Sequence, residues 1–187
     1  MTANRHFKRR VRERARRTGE SYTAALARLR QIDAKEQPVQ WQRIEKPDFG
    51  YAVHVPDGWD ERPPDLKNSP WETARFTQPA DRRHSLIVFR GPTRPGRDAA
   101  QVADGARLAL ENGGFTESRI ADATFAGRSG VRLECARYDA GRIWAVREYF
   151  VVEDTSYFCL GCGSAVPDED DALFAEMASR FELLGVS

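Results

Sequence analysis

The chain has 187 residues, 41% of them hydrophobic and 30% charged, which is enough apolar material for one core but too short for two full domains. Its mean hydropathy of −0.62 reflects abundant charge rather than a missing core, and this excludes a chain disordered throughout and a membrane protein. The formal net charge of +1 conceals two opposite pieces: residues 1–31 carry ten cationic and two anionic side chains, net +8, leaving 19 and 26, net −7, for the remainder.

In chain order, RHFKRRVRERARR (5–17) contains good helix formers without Pro or Gly, and its apolar residues Phe7, Val11 and Ala15 fall four apart. That spacing predicts a cationic helix with a narrow apolar stripe. Gly19 suits a C-terminal cap and Ser21 an N-cap for a second helix from Tyr22 to about Ile32, with Tyr22, Ala25, Leu26, Leu29 and Ile32 on one face. Residues 1–32 therefore read as a basic helical hairpin, 33–40 (DAKEQPVQ) as a polar linker and 41–187 as the main domain.

The main domain begins with strand FGYAVHV, where Tyr51, Val53 and Val55 alternate with smaller or polar residues, closed by the turn VPDGW. Residues 60–70, rich in proline and charge, read as a long loop. WETARFT and HSLIVFR follow as strands, and the apolar run from Leu86 to Phe89 marks a central strand covered on both faces. A helix is expected over DAAQVADGARLALENGG, with Asp98 as cap, Val102, Ala106, Ala109 and Leu110 inward, and Gly113 at its end. Four strands then fit 115–163 as a meander with turns at 127–130, 139–141 and 153–155. The closing segment PDEDDALFAEMASRFELL places Leu173, Phe174, Met177, Phe181 and Leu184 at helical spacing behind an acidic first turn. The order gives an α+β architecture, an antiparallel sheet sandwiched by helices, preceded by the N-terminal helical hairpin.

Three features carry a resemblance: the first strand followed by Pro56-Asp57-Gly58-Trp59, the meander ending YFVVEDTSYFCLGCG, and the closing ASRFELL. With this order, the chain over residues 40–185 resembles the PsbP/Mog-like superfamily, which includes DcrB- and LpqN-type domains. The resemblance implies an α/β/α sandwich used mostly as a binding scaffold, with no shared catalytic set to carry over. The N-terminal segment, through Lys8-Arg9-Arg10, Thr18-Gly19, Ser21-Tyr22-Thr23 and Ala25-Leu26, separately resembles an actinobacterial-type element appended to varied domains.

Candidate chemistry centres on the hairpin. Arg5, Lys8, Arg9, Arg10, Arg12, Arg14, Arg16 and Arg17, joined by Arg28 and Arg30, form an array in which each guanidinium can fork two hydrogen bonds to a phosphate or carboxylate. The expected partner of residues 1–31 is an acidic protein or the acidic remainder of the chain itself. The alternatives are nucleic acid, ribosomal RNA included, and an anionic membrane surface, for which the apolar face is small. A second alternative class is a small enzyme whose cleft lies near Trp59, Trp71 and the 60–70 loop.

Other motifs read as structural. Cys159-Leu160-Gly161-Cys162 ends a strand, where residues three apart point to opposite faces, so it suits neither a thioredoxin-type pair nor a zinc site. His6, His54 and His84 are scattered, and no G-x-S-x-G or HExxH occurs. The acids at 168–171 lack the ligand spacing of a calcium loop and suit helix capping. No catalytic residue, metal or cofactor is therefore expected. Absent an apolar h-region or a run of roughly 20 apolar residues, and with three cysteines in an odd set, the reading is a cytoplasmic chain without a membrane span.

Overall fold

The computed structural model describes residues 3–26, 39–79 and 81–185. The chain divides into two compact units at Gln40.

In the first unit, α1 (Ala3–Thr18) ends where Gly19, at φ +72°, donates its N–H to the Ala15 carbonyl at 3.0 Å. Only a residue without a Cβ adopts that left-handed conformation freely, so the cap follows from the glycine. Ser21 Oγ then accepts the Ala24 N–H at 3.2 Å and starts a second helical stretch, described over 22–26. The apolar stripes meet: Val11 and Ala25 are fully buried and pack with Ala15 and Leu26. Tyr22, expected on that buried face, is instead exposed and outside this small core. Leu29 and Ile32, with Arg28, Arg30 and linker residues 33–38, lie outside the described residues.

Among the described residues the second unit contains ten strands, two α-helices and one 3-10 turn at Pro47–Phe49. In order the strands and α-helices are β1 (Trp41–Lys46), β2 (Tyr51–Pro56), β3 (Asp60–Arg62), β4 (Glu72–Gln78), β5 (Asp81–Pro92), α2 (Ala99–Asn112), β6 (Thr116–Phe125), β7 (Arg128–Asp139), β8 (Arg142–Glu153), β9 (Ser156–Ser164), α3 (Pro167–Ser179) and β10 (Glu182–Leu183). Every strand pairing is antiparallel, and the strands split into a three-stranded sheet, β1-β2-β10, and a seven-stranded sheet, β3-β4-β5-β9-β8-β7-β6. The expected meander is β6 to β9, and β5 closes onto β9 from Pro92↔Ser156 to His84↔Ser164.

Strand periodicity assigns the two faces of the large sheet to two cores. On the inner face, Phe76, Leu86, Val88, Leu160 and Cys162 pack against Tyr51, Val53 and Val55 of the small sheet and Phe174, Met177 and Phe181 around α3. On the outer face, Val131, Leu133, Phe150 and Cys159 pack against Val102 and Ala103 of α2. The structure is thus an α+β sandwich with helices on both sides of an antiparallel sheet, and Leu86 to Phe89 does serve both faces: Leu86 and Val88 inward, Phe89 outward.

Helix α2 is entered through a capping box, Asp98 accepting from the Gln101 N–H at 2.8 Å while Gln101 Oε1 accepts from the Asp98 N–H at 3.1 Å. Its inward side carries Val102, Ala103, Ala106, Ala109 and Leu110, with Ala109 left solvent-accessible on that side. Three further expectations need correction. The closing helix stops at Ser179, and Glu182 and Leu183 form β10 against Ala52 and Tyr51, because Phe181 is drawn into the core beside Phe125 and Tyr51. Residues 60–62, placed in a loop, pair with β4 as β3. Residues 41–46, not counted as a strand, form β1.

Candidate functional site: an outer-face cavity and a cationic helix

α2 lies mainly over β6, β7 and β8, so much of the outer face of β4, β5 and β9 needs another cover. Part of it comes from the proline-rich loop, which is tied down by Glu72, whose side chain is fully buried. Its carboxylate accepts two hydrogen bonds from Arg75, each at 2.8 Å, and one from the Asp65 N–H at 3.0 Å. Asp65 Oδ1 in turn accepts the N–H groups of Lys67 and Asn68 at 3.1 and 3.3 Å. A buried carboxylate bound to arginine is stable only with its oxygens satisfied, and this one is. The result is that Asn68 and Ser69 stand over the sheet opposite α2.

Between them lies a cavity of about 370 Å³, within the usual range of small-molecule sites. Phe89, Phe150, Tyr157 and Cys159 form its floor, Ala106, Ala109 and Leu110 one wall, and Asn68 and Ser69 the rim. Glu148 projects into it from β8. Glu148 pairs in register with Gly161 on β9, where a Cβ would lie 3.3 Å from the Phe89 ring and 3.6 Å from Glu148 Oε1. Glycine at 161 therefore keeps open the space beside the carboxylate. The Glu148 side chain as a whole is half-buried, yet its Oε2 is sealed from solvent and has no hydrogen-bond partner. Desolvation pushes this carboxyl up to about 7. Burial likewise raises the Tyr157 hydroxyl to about 12 and the Cys159 thiol well above its ordinary value.

The expected cleft residues stand elsewhere. Trp59 is 6% exposed and belongs to the inner core, its ring 6.3 Å from that of His84, so it lines no cleft. The VPDGW turn directs it inward, which sequence spacing does not reveal. Trp71 is exposed and lines none of the cavities described here. The loop between these tryptophans does contribute, through Asn68 and Ser69.

A polar cluster that sequence reasoning missed sits where β5, β9 and α3 meet. His84 Nδ1 and Ser164 Oγ both donate to Asp170 Oδ2 at 2.5 Å, Ser164 Oγ accepts the Val166 N–H at 2.8 Å, and His84 Nε2 faces Asp81 Oδ2 at 3.1 Å. Arg83 chiefly, with His84, holds the Asp81 carboxyl well below its ordinary range. The serine bonds the carboxylate and not the imidazole, so the three side chains do not stand in the serine–histidine–aspartate order of a nucleophilic triad. The cluster pins the first turn of α3 to the sheet. Asp170, read as one of several capping acids, is buried for this purpose.

Cys159 and Cys162 occupy opposite faces of β9, in the outer and inner cores respectively, as period two requires. All three cysteines are free and buried, and burial raises each thiol, the reverse of what a reactive thiolate needs.

On α1, Lys8, Arg9, Arg12, Arg16 and Arg17 are exposed, and Arg9, Arg12 and Arg16 line one shallow concavity with Glu13. Their i, i+3, i+7 spacing puts the three on one helix face. Arg14 differs: it is partly buried and donates to Glu20 Oε1 at 2.6 Å, with Thr18 Oγ1 donating to the same oxygen at 2.9 Å. It fastens the hairpin turn. The Arg5 side chain lies outside the described residues, as do Arg28 and Arg30.

No family model matches the chain, and no curated protein does. Solved structures do match. LpqN of Mycobacterium tuberculosis, described as involved in cell envelope biogenesis, aligns over 81% of this chain and 94% of its own at 20% identity and a TM-score of 0.54. The Saccharomyces cerevisiae Ran-binding protein Mog1p aligns over 79% and 97% at 10% identity and a TM-score of 0.53. Cyanobacterial PsbP from Synechocystis aligns over 79% and 95% at 16% identity and a TM-score of 0.50. The sandwich therefore has the PsbP/Mog-like fold. At these identities the likeness defines the architecture alone.

Proposed function

We propose that this chain is a non-enzymatic binding or adaptor protein in which the basic hairpin docks on an acidic partner protein. The observation that carries the reading is the exposed cationic face of Arg9, Arg12 and Arg16 on a unit with its own small core. Forked guanidiniums held at one-turn intervals match the carboxylates of an acidic surface. Support also comes from the sandwich: its Ser/His/Asp cluster is arranged for packing, and one protein of the same fold is described as Ran-binding, so the architecture is compatible with a protein partner. The same arginines fit phosphates, which keeps nucleic acid as the second reading. The proposal places the protein in the cytoplasm, with its three free cysteines in support; cell fractionation tests that. No helix among the described residues is long and apolar enough to cross a membrane.

The test is affinity capture from native lysate with the full chain and with the triple substitution Arg9→Glu, Arg12→Glu, Arg16→Glu, each with and without nuclease. An acidic protein retained by the wild type after nuclease and lost by the variant supports the proposal. Loss of all captured material on nuclease treatment transfers the reading to nucleic acid. Equal capture by both chains removes the hairpin from function.

A further inference from the structure

We propose that the outer-face cavity binds a small organic amine with an aromatic or compact apolar body, its ammonium group pairing with Glu148. Three observations converge. The first is a carboxylate without a donor: Glu148 lines the cavity with its Oε1 beside Gly161, its Oε2 is cut off from water and has no hydrogen-bond partner, and no Lys, Arg or His among the described residues forms an ion pair with this side chain. Neighbouring cations are held by other acceptors: Arg97, near Tyr157, donates to the Gln101 carbonyl at 2.7 Å. Arg147, one residue away on the opposite face, pairs with Glu134 and Asp171, and Arg107 on α2 pairs with Asp104 and Glu111. A carboxylate left unpaired in an apolar pocket is costly, and a cation delivered by a ligand removes that cost.

The second observation is the shape. About 370 Å³ beside a single carboxylate holds a ring or short branched chain, and the space next to the carboxylate exists because residue 161 is glycine. Third, the wall chemistry is suited to a cation with an apolar body. Phe89, Phe150 and Tyr157 present aromatic surface, which attracts ammonium through the ring quadrupole, while Ala106 and Leu110 take the apolar part. Asn68 and Ser69 at the rim would stay in contact with water when the site is filled. This inference concerns the sandwich and is independent of the hairpin reading, so it survives if the arginine substitutions leave capture unchanged.

The experiment is titration calorimetry of the full chain at pH 8 with benzylamine and phenethylamine, against benzyl alcohol as the uncharged match in shape. Saturable amine binding is expected, at least tenfold tighter than the alcohol. Glu148→Gln, close to isosteric, should weaken the amines at least tenfold and leave the alcohol within about twofold. Gly161→Ala, which narrows the pocket without touching the charge, should weaken both amines and alcohol together. Ala106→Leu on the wall gives an independent way to fill the site if either sheet variant fails to fold, and it should abolish binding. Equal affinity for benzylamine and benzyl alcohol, amine binding unchanged by Glu148→Gln or by Ala106→Leu, or no saturable binding of either amine would each overturn the proposal.

Discussion

The two faces of the seven-stranded sheet are built from the same strands yet finished differently. The inner face is closed by a second sheet and a helix, and its large side chains Phe76, Leu86 and Leu160 are wholly buried. The outer face is covered by one helix over part of its width and a loop over part of the rest, and there Phe89 and Tyr157 are only partly buried around a cavity. Close packing leaves no room for a ligand, whereas an incompletely covered face can hold one at little cost to the fold. Stability and binding are thereby separated onto opposite sides of one set of strands.

The largest expected effect is on the inner face. Phe76→Ala should destabilise the protein by about 3–5 kcal/mol in denaturant unfolding, because the cavity it leaves is enclosed on every side. Phe89→Ala, the same chemical change on the outer face, should cost roughly half as much, since its ring already borders open space. Equal losses would end the distinction between the faces.

Asp170→Ala should cost about 2–4 kcal/mol, as it leaves His84 and the buried Ser164 hydroxyl without their shared acceptor. Unfolding of this variant with and without denaturant-independent probes of α3, such as amide exchange over 167–179, would show that helix loosening first.

Glu148 gives a smaller effect with a defined sign. Its carboxyl titrates near 7 in the folded chain and near 4.5 when unfolded. The native state therefore holds a proton that the unfolded state has released, and unfolding free energy falls as pH rises from about 4.5 to about 7. Glu148→Gln should match the wild type near pH 4 and exceed it by roughly 1–3 kcal/mol at pH 8, read from urea midpoints at the two pH values. A variant that is no more stable at pH 8 would mean that the outer face is wetter than its geometry indicates.

The smallest change belongs to the solvent side of α2. Arg107→Ala removes exposed pairs with Asp104 and Glu111 and should alter stability by less than about 1 kcal/mol, with the effect fading at high salt.

Features legible in the sequence are those whose cause lies within a few residues. Gly19 and Ser21 mark the hairpin turn because a left-handed φ and a capping hydroxyl are local requirements. Asp98 and Gln101 announce α2 for the same reason, and the meander from β6 to β9 follows from alternation between short turns. The separation of Cys159 from Cys162 needed only the period of a strand. Tyr22 and Trp59 depart from their expected places because burial depends on what lies opposite, and that partner comes from distant parts of the chain.

The sandwich architecture and the cationic hairpin can be read from patterning and charge alone, since periodicity and composition are properties of the chain itself. The fate of Asp170 and Glu148 cannot. Both are acids among many, but one is satisfied by a histidine 86 residues away and the other is left unpartnered beside Gly161, under a helix and a loop from two further segments. A carboxylate's environment is the sum of all groups within a few ångströms, and only folding brings those groups together.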